Sequence, residues 1–142
     1  MIKLGSTVID NSALAIEQVK AAVDRGLEKV GIAAEAEAKK HISGQYDKSM
    51  KAVDTGNLRN SITHEVREGD VYIGTNVEYA PYVEMGTGDH GTGTGKPWSY
   101  VDEKGVWHRT SGMKPRPFLQ PAALDHLQEY ERIFRSELGS AF

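Results

Sequence analysis

Eight apolar residues between Ile16 and Ile42 recur at steps of three and four, and no other feature restricts the fold as strongly. Ile16, Val19, Val23, Leu27, Val30, Ala34, Ala38 and Ile42 share one face of a helix. The opposite face carries Glu17, Lys20, Asp24, Glu28, Glu35 and Lys39, which suit water. The pattern predicts one helix over residues 12–42, with Asn11 or Ser12 capping its first backbone N–H groups. Gly26 and Gly31 each cost roughly 1 kcal/mol relative to Ala inside a helix, so close packing or a bend is expected there. A chain of 142 residues makes one domain, and this helix is long for it. The expected arrangement is a helix lying wholly along its own sheet; the alternative leaves one end projecting as a contact surface.

The rest of the chain is read as shorter elements. Residues 43–57 are polar and read as a loop. Alternation at Ile62, His64, Val66 and at Val71, Ile73 predicts a first hairpin over residues 58–76, turning at Glu68-Gly69-Asp70. Tyr79 to Met85 reads as a helical turn ended by Gly86. Residues 86–96 hold five glycines in eleven positions, too much backbone entropy for a rigid element. Residues 86–114 are therefore expected to be a mobile loop and a second hairpin, Trp98 to Thr110, turning at Glu103-Lys104-Gly105. A final helix over 118–138 carries the stripe Ala123, Leu127, Tyr130, Phe134, Leu138. The order predicts an α+β domain: a long N-terminal helix and a C-terminal helix packed on a small antiparallel sheet of two hairpins.

Composition and motif tests exclude most chemistry. The formal charge of −3 offers no general attraction to nucleic acid or an anionic membrane. There is no cysteine, so disulfides and thiolate zinc sites are excluded. No run approaches the ~20 apolar residues that span a bilayer. Met1-Ile2-Lys3-Leu4-Gly5 lacks a signal-peptide core, so a cytosol-like compartment is expected. Asp54-Thr55-Gly56 matches the aspartic-protease signature, but Lys48, Lys51, Asn57, Arg59 and Asn60 surround it where apolar strands are needed. It reads instead as a turn into the first strand. Gly95-Lys96 fails as a phosphate loop, because His90 stands at the first glycine position and Pro97 replaces the hydroxyl residue. The five histidines fall at no His-x3-His or His-x-His spacing, so no metal ligands, cofactor or catalytic residues are expected.

Lys96, Lys104, His108, Arg109, Lys114 and Arg116 lie among Trp98, Tyr100 and Trp107 in and beside the second hairpin. Basic and aromatic residues together suit a protein interface, where Trp, Tyr and Arg are favoured. Core packing is a second reading. A small nucleic-acid-binding protein using hairpin 98–110 is the alternative from another class, weakened by Asp102 and Glu103 and by the acidic balance.

Three motifs occur in order: Asp54-Thr55-Gly56-Asn57-Leu58-Arg59-Asn60-Ser61-Ile62, Tyr79-Ala80-Pro81-Tyr82-Val83-Glu84-Met85-Gly86-Thr87-Gly88 and Pro115-Arg116-Pro117-Phe118-Leu119-Gln120-Pro121-Ala122. Together they resemble the tail-component or neck proteins of tailed double-stranded DNA phages, the gene-product-ten family named for phage HK97. The resemblance runs from Asp54 to Leu124, and the long helix is also in the expected place. It implies a non-enzymatic virion structural protein of a phage or prophage, at the head–tail joint or in tail completion, assembled in the host cytoplasm. The implied state is a homo-oligomeric ring, six- or twelve-fold, around a channel that DNA crosses without sequence-specific binding. Implied partners are a head connector or adaptor and a tail tube or tail terminator, with no membrane; a phage-derived contractile or toxin-delivery particle fits equally.

The candidate structural and interface residues are Tyr79, Tyr82, Glu84, Trp98, Trp107, Arg109, Arg116 and Phe118. Glu84 and Arg116 are expected to form an ion pair, within or between subunits, that pins the short helix to the start of the last one. Phe118 and Leu119 are expected in the core, and Tyr79 and Tyr82 against the hairpin with their hydroxyls at the rim. The loop and hairpin from Asp89 to Met113 have no counterpart in the resemblance, so partner choice is expected there.

Overall fold

The computed structural model describes residues 11–51, 55–87 and 98–139. Asp54 and most of the glycine-rich segment lie outside the described residues. The elements are α1 (Ser12–Ile42), a single 3-10 turn at Lys48–Met50, α2 (Thr55–Ser61), β1 (Thr63–Arg67), β2 (Asp70–Gly74), α3 (Ala80–Met85), β3 (Trp98–Val101), β4 (Trp107–Thr110), α4 (Leu119–Leu124) and α5 (Leu127–Gly139). The α+β class is as expected, but the hairpins β1–β2 and β3–β4 form two separate two-stranded sheets.

The buried stripe of α1 differs from the apolar one in its sequence. Ala22, Gly26, Gly31, Ala34, Glu37, Ala38 and Ile42 are buried, while Val23, Leu27 and Val30 sit half-buried beside them. Small residues let neighbours come close, which accounts for both glycines. A Cβ at Gly26 would lie 2.7 Å from Cδ2 of Phe134 on α5. One at Gly31 would overlap the His64 ring on β1, with Cγ only 2.9 Å away. Residues 11–21 are all exposed, with Ile16 at 55% and Val19 at 39%. The N-terminal turns of α1 therefore stand clear, and the expectation of a helix lying wholly along its sheet is corrected. Capping also differs: no Asn11 side-chain bond forms, and only its carbonyl joins the ladder, accepting from Ala15 N–H at 3.0 Å.

The main core lies at the other end of α1. Ala38 and Ile42 pack with Leu58 and Ile62, with Ala80 and Val83 of α3, and with Phe118 and Ala122. Leu58 and Ser61 belong to α2, so the first motif enters a helix where a turn into the strand was expected. Ser61 Oγ donates to the Leu58 carbonyl at 2.6 Å, closing that helix. The first hairpin turns on Glu68 and Gly69, whose φ values of 49° and 85° fit a two-residue turn between the paired Arg67 and Asp70.

The last helix is broken where one continuous helix was expected. Tyr130 Oη donates to the Ala122 carbonyl, taking an acceptor that a continuous helix would bond to its own backbone. Ala123 and Leu127, both in the expected stripe, are exposed, and Tyr130 is the buried residue of α5. The helix runs antiparallel to α1, with His126 beside His41, Phe134 against Gly26, and Glu137 bonded to Arg25 and Lys29 at 3.0 and 2.6 Å.

Candidate functional site

The second hairpin is carried on a clamped base. Gly86 ends α3 with φ 74°, a conformation that glycine adopts freely. A Cβ there would lie 2.7 Å from the Met113 carbonyl oxygen. That close approach lets Thr87 N–H donate to the Met113 carbonyl and Met113 N–H donate to Thr87 Oγ1, both at 2.9 Å. Arg116 N–H then donates to the Val83 carbonyl at 2.8 Å. The chain thus leaves and returns at one point, and the described part of the stretch between, residues 98–112, lies outside the core.

Glu84 completes the clamp in a way the sequence did not indicate. Its Oε2 accepts from the backbone N–H groups of Phe118 and Leu119 at 2.7 and 3.0 Å, and its Oε1 from Gln120 at 2.9 Å. These are the free donors at the start of α4, so a side chain 34 to 36 residues away performs the capping. Glu84 does pin α3 to the last helices, but through backbone donors. No ion pair with Arg116 forms among the described residues; the Arg116 guanidinium donates to Met113 Sδ at 3.6 Å. Phe118 is fully buried beside this junction and Leu119 packs against it, as expected. Tyr79 and Tyr82 are corrected: they are 37% and 58% exposed, and Ala80 and Val83 are the side chains that α3 buries.

Beyond the clamp, β3 and β4 pair antiparallel in the register Trp98↔Thr110, Ser99↔Arg109, Tyr100↔His108 and Val101↔Trp107. Alternation places Tyr100 and His108 on one face, their rings stacked at 5.2 Å, and Val101 with Trp107 on the other. Both faces are open: Tyr100 and Val101 are each 47% exposed and Trp107 is 72% exposed. Arg109 is exposed as well, which removes the core-packing reading for this hairpin. Asp102 braces the turn, its Oδ1 accepting from Lys104 and Val106 N–H at 2.9 Å. A lone two-stranded hairpin is marginal in water. This one displays an aromatic and basic surface, and among the described residues no helix covers it.

A second cluster joins residues distant in sequence. His41, Tyr46 and His126 surround Glu37, the buried charged residue of α1. His41 Nε2 and His126 Nε2 face each other at 3.0 Å, and His126 Nε2 lies 3.3 Å from Glu37 Oε2. The Tyr46 hydroxyl donates to the same oxygen, and Lys40 Nζ reaches Oε1 at 3.3 Å. Burial opposes ionisation of Glu37, but the bonds from Tyr46 and Lys40 outweigh it and hold the carboxyl below its usual range. The same bond pushes the Tyr46 phenol up to about 12. Burial, and then the neighbouring His126, lower the pKa of His41. The histidines are scattered along the chain, as their spacing indicated, yet the fold gathers two of them. The i,i+4 spacing of Glu37 and His41 on one helix face was the available signal.

Elsewhere His64 ties β1 to α1, its Nδ1 2.6 Å from Glu35 Oε2 and its Nε2 2.6 Å from Glu28 Oε1.

The family model described as "Bacteriophage HK97-gp10, putative tail-component" matches residues 10–86. That span covers α1 through α3 and includes Glu84, while Arg116 and Phe118 lie beyond it. No curated protein and no solved structure matches the chain.

Proposed function

The chain belongs to the bacteriophage HK97-gp10 tail-component family, and from that premise we propose that it is a non-enzymatic structural protein of a phage or prophage virion. It acts at the head–tail joint or in tail completion, by forming a ring of identical subunits. The observation that carries the reading is the second hairpin, held at its base by Gly86, Thr87 and Met113 while Tyr100, Val101 and Trp107 stay open on both faces. A ring needs each subunit to present one surface to a different surface of the next, without self-pairing. An arm projecting from a rigid domain provides this, and aromatic and Arg side chains are effective anchors once a partner excludes water. The projecting apolar turns of α1, with Leu14 and Ile16 each 55% exposed, supply a second surface on the same domain. Hairpin and helix are then the two halves of a head-to-tail contact, and either half can instead meet the head connector or the tail tube.

Light scattering on the purified chain, followed by negative-stain imaging, tests the proposal. Closed rings are expected from the wild type, and smaller species from Trp107→Ser with unchanged far-UV circular dichroism. Rings unaffected by Trp107→Ser would remove the arm from the contact. A monomer that binds DNA with strong salt dependence would replace the whole reading with a nucleic-acid-binding one.

A further inference from the structure

We propose that Glu37, His41 and His126 form a binding site for a transition-metal cation, with Zn2+ the ion best suited to their donors. Each residue offers one ligand atom, and all three atoms lie within 4.8 Å of one another. The two imidazole nitrogens are 3.0 Å apart, and His126 Nε2 lies 3.3 Å from Glu37 Oε2. Ligand bonds of about 2.0–2.1 Å in a tetrahedral site place neighbouring ligand atoms about 3.4 Å apart. Both contacts to His126 lie within about 0.4 Å of that spacing, and the third pair, His41 and Glu37, lies within 4.8 Å.

The donor atoms of the three residues converge on one point, an arrangement that suits a cation. His126 Nε2 faces both His41 Nε2 and Glu37 Oε2, but a neutral ring carries at most one proton on that atom. It can satisfy one neighbour and leaves another lone pair aimed at the same point. A metal ion accepts all three pairs together. The outer shell is already in place: the Tyr46 hydroxyl bonds to Glu37 Oε2, and the Tyr46 ring sits 4.6 Å from His41 and 5.5 Å from His126. His126 also lines an open cleft of about 740 Å3, with Leu124, Glu129 and Arg132. Two ligands come from α1 and one from the break between α4 and α5, so the ion would fasten the C-terminal helices to the long helix. Three protein ligands leave one position for water or for a group from another molecule.

The test uses the full chain without an affinity tag, stripped with a chelator and titrated with Zn2+ or, as an optical probe, Co2+. One ion per chain is expected, with a Co2+ visible spectrum of low coordination number and a raised melting temperature. His41→Asn, His126→Asn and Glu37→Gln should each weaken Zn2+ binding by about a hundredfold or more, since loss of a ligand costs at least as much as loss of an outer-shell partner. His64→Asn and His108→Asn should leave it unchanged. Histidine NMR of the wild type keeps the proposal falsifiable if a variant does not fold. Shifts of the His41 and His126 rings on adding Zn2+ support the site. Rings that do not move, or binding equally strong in a folded His126→Asn, overturn it.

Discussion

Replacing Glu84 with Ala should destabilise the chain by about 3 kcal/mol, through the loss of one side chain that closes three backbone donors. The Phe118 and Leu119 donors are partly buried, so water does not fully replace the carboxylate, and each contributes about 1 kcal/mol. The Gln120 donor is exposed and is rehydrated cheaply, but loss of a negative charge at a helix start adds up to about 1 kcal/mol. A domain of this size shifts in melting temperature by about 3 °C per kcal/mol, so a fall of about 9 °C is expected. Glu84→Gln keeps one carbonyl oxygen for Phe118 and Leu119, and should lose about half as much. Denaturant melts of wild type, Glu84→Ala, Arg116→Ala and the double variant complete the comparison. The coupling energy between Glu84 and Arg116 should lie within about 0.5 kcal/mol of zero. A Glu84→Ala protein as stable as wild type would refute the capping argument. A coupling above about 1 kcal/mol would restore the ion pair.

Gly31→Ala should destabilise by about 1–2 kcal/mol even though Ala favours a helix, because the new Cβ overlaps a His64 ring that Glu28 and Glu35 hold in place; an unchanged urea midpoint would contradict this close approach. Bonding to Glu35, then to Glu28, raises the His64 pKa above 6.5. The folded state therefore binds the His64 proton more tightly, and this contribution is complete below 6.5 and lost as pH rises through the folded value. The stability difference between wild type and His64→Asn should accordingly shrink from pH 6 to pH 9, and a difference that grows would reverse the sign. His41 acts in the opposite direction, since its pKa is lowered, so the comparison must be made against a variant and not read from the wild type alone. Tyr130→Phe removes the donor to the Ala122 carbonyl and should cost about 1–2 kcal/mol, measured by thermal melts; no loss would show that water serves that carbonyl equally well.

Sequence legibility followed the range of the physics involved. The 12–42 helix, the hairpin turning at Glu68-Gly69, the α3 turn ended by Gly86 and the Trp98–Thr110 hairpin all rest on local periodicity or on backbone conformations that glycine favours. The Thr55–Ser61 helix was missed because its polar residues resemble a loop until Leu58 is seen to fill the core. The break after α4 was missed because the bond that accompanies it, from the Tyr130 hydroxyl to the Ala122 carbonyl, joins residues of two different helices.

By itself the sequence determined the α+β class, the long first helix, the two hairpins, the absence of disulfide chemistry and, within residues 10–86, the match to a phage tail-component family. These depend on residue identity and on neighbours a few positions apart. The tertiary structure alone decided what Glu84 holds, which face of α1 is buried, and that Glu37, His41 and His126 meet. A carboxylate will bond to whichever donors or cations the fold brings within about 3 Å. Composition specifies the carboxylate; only the path of the chain specifies the partner.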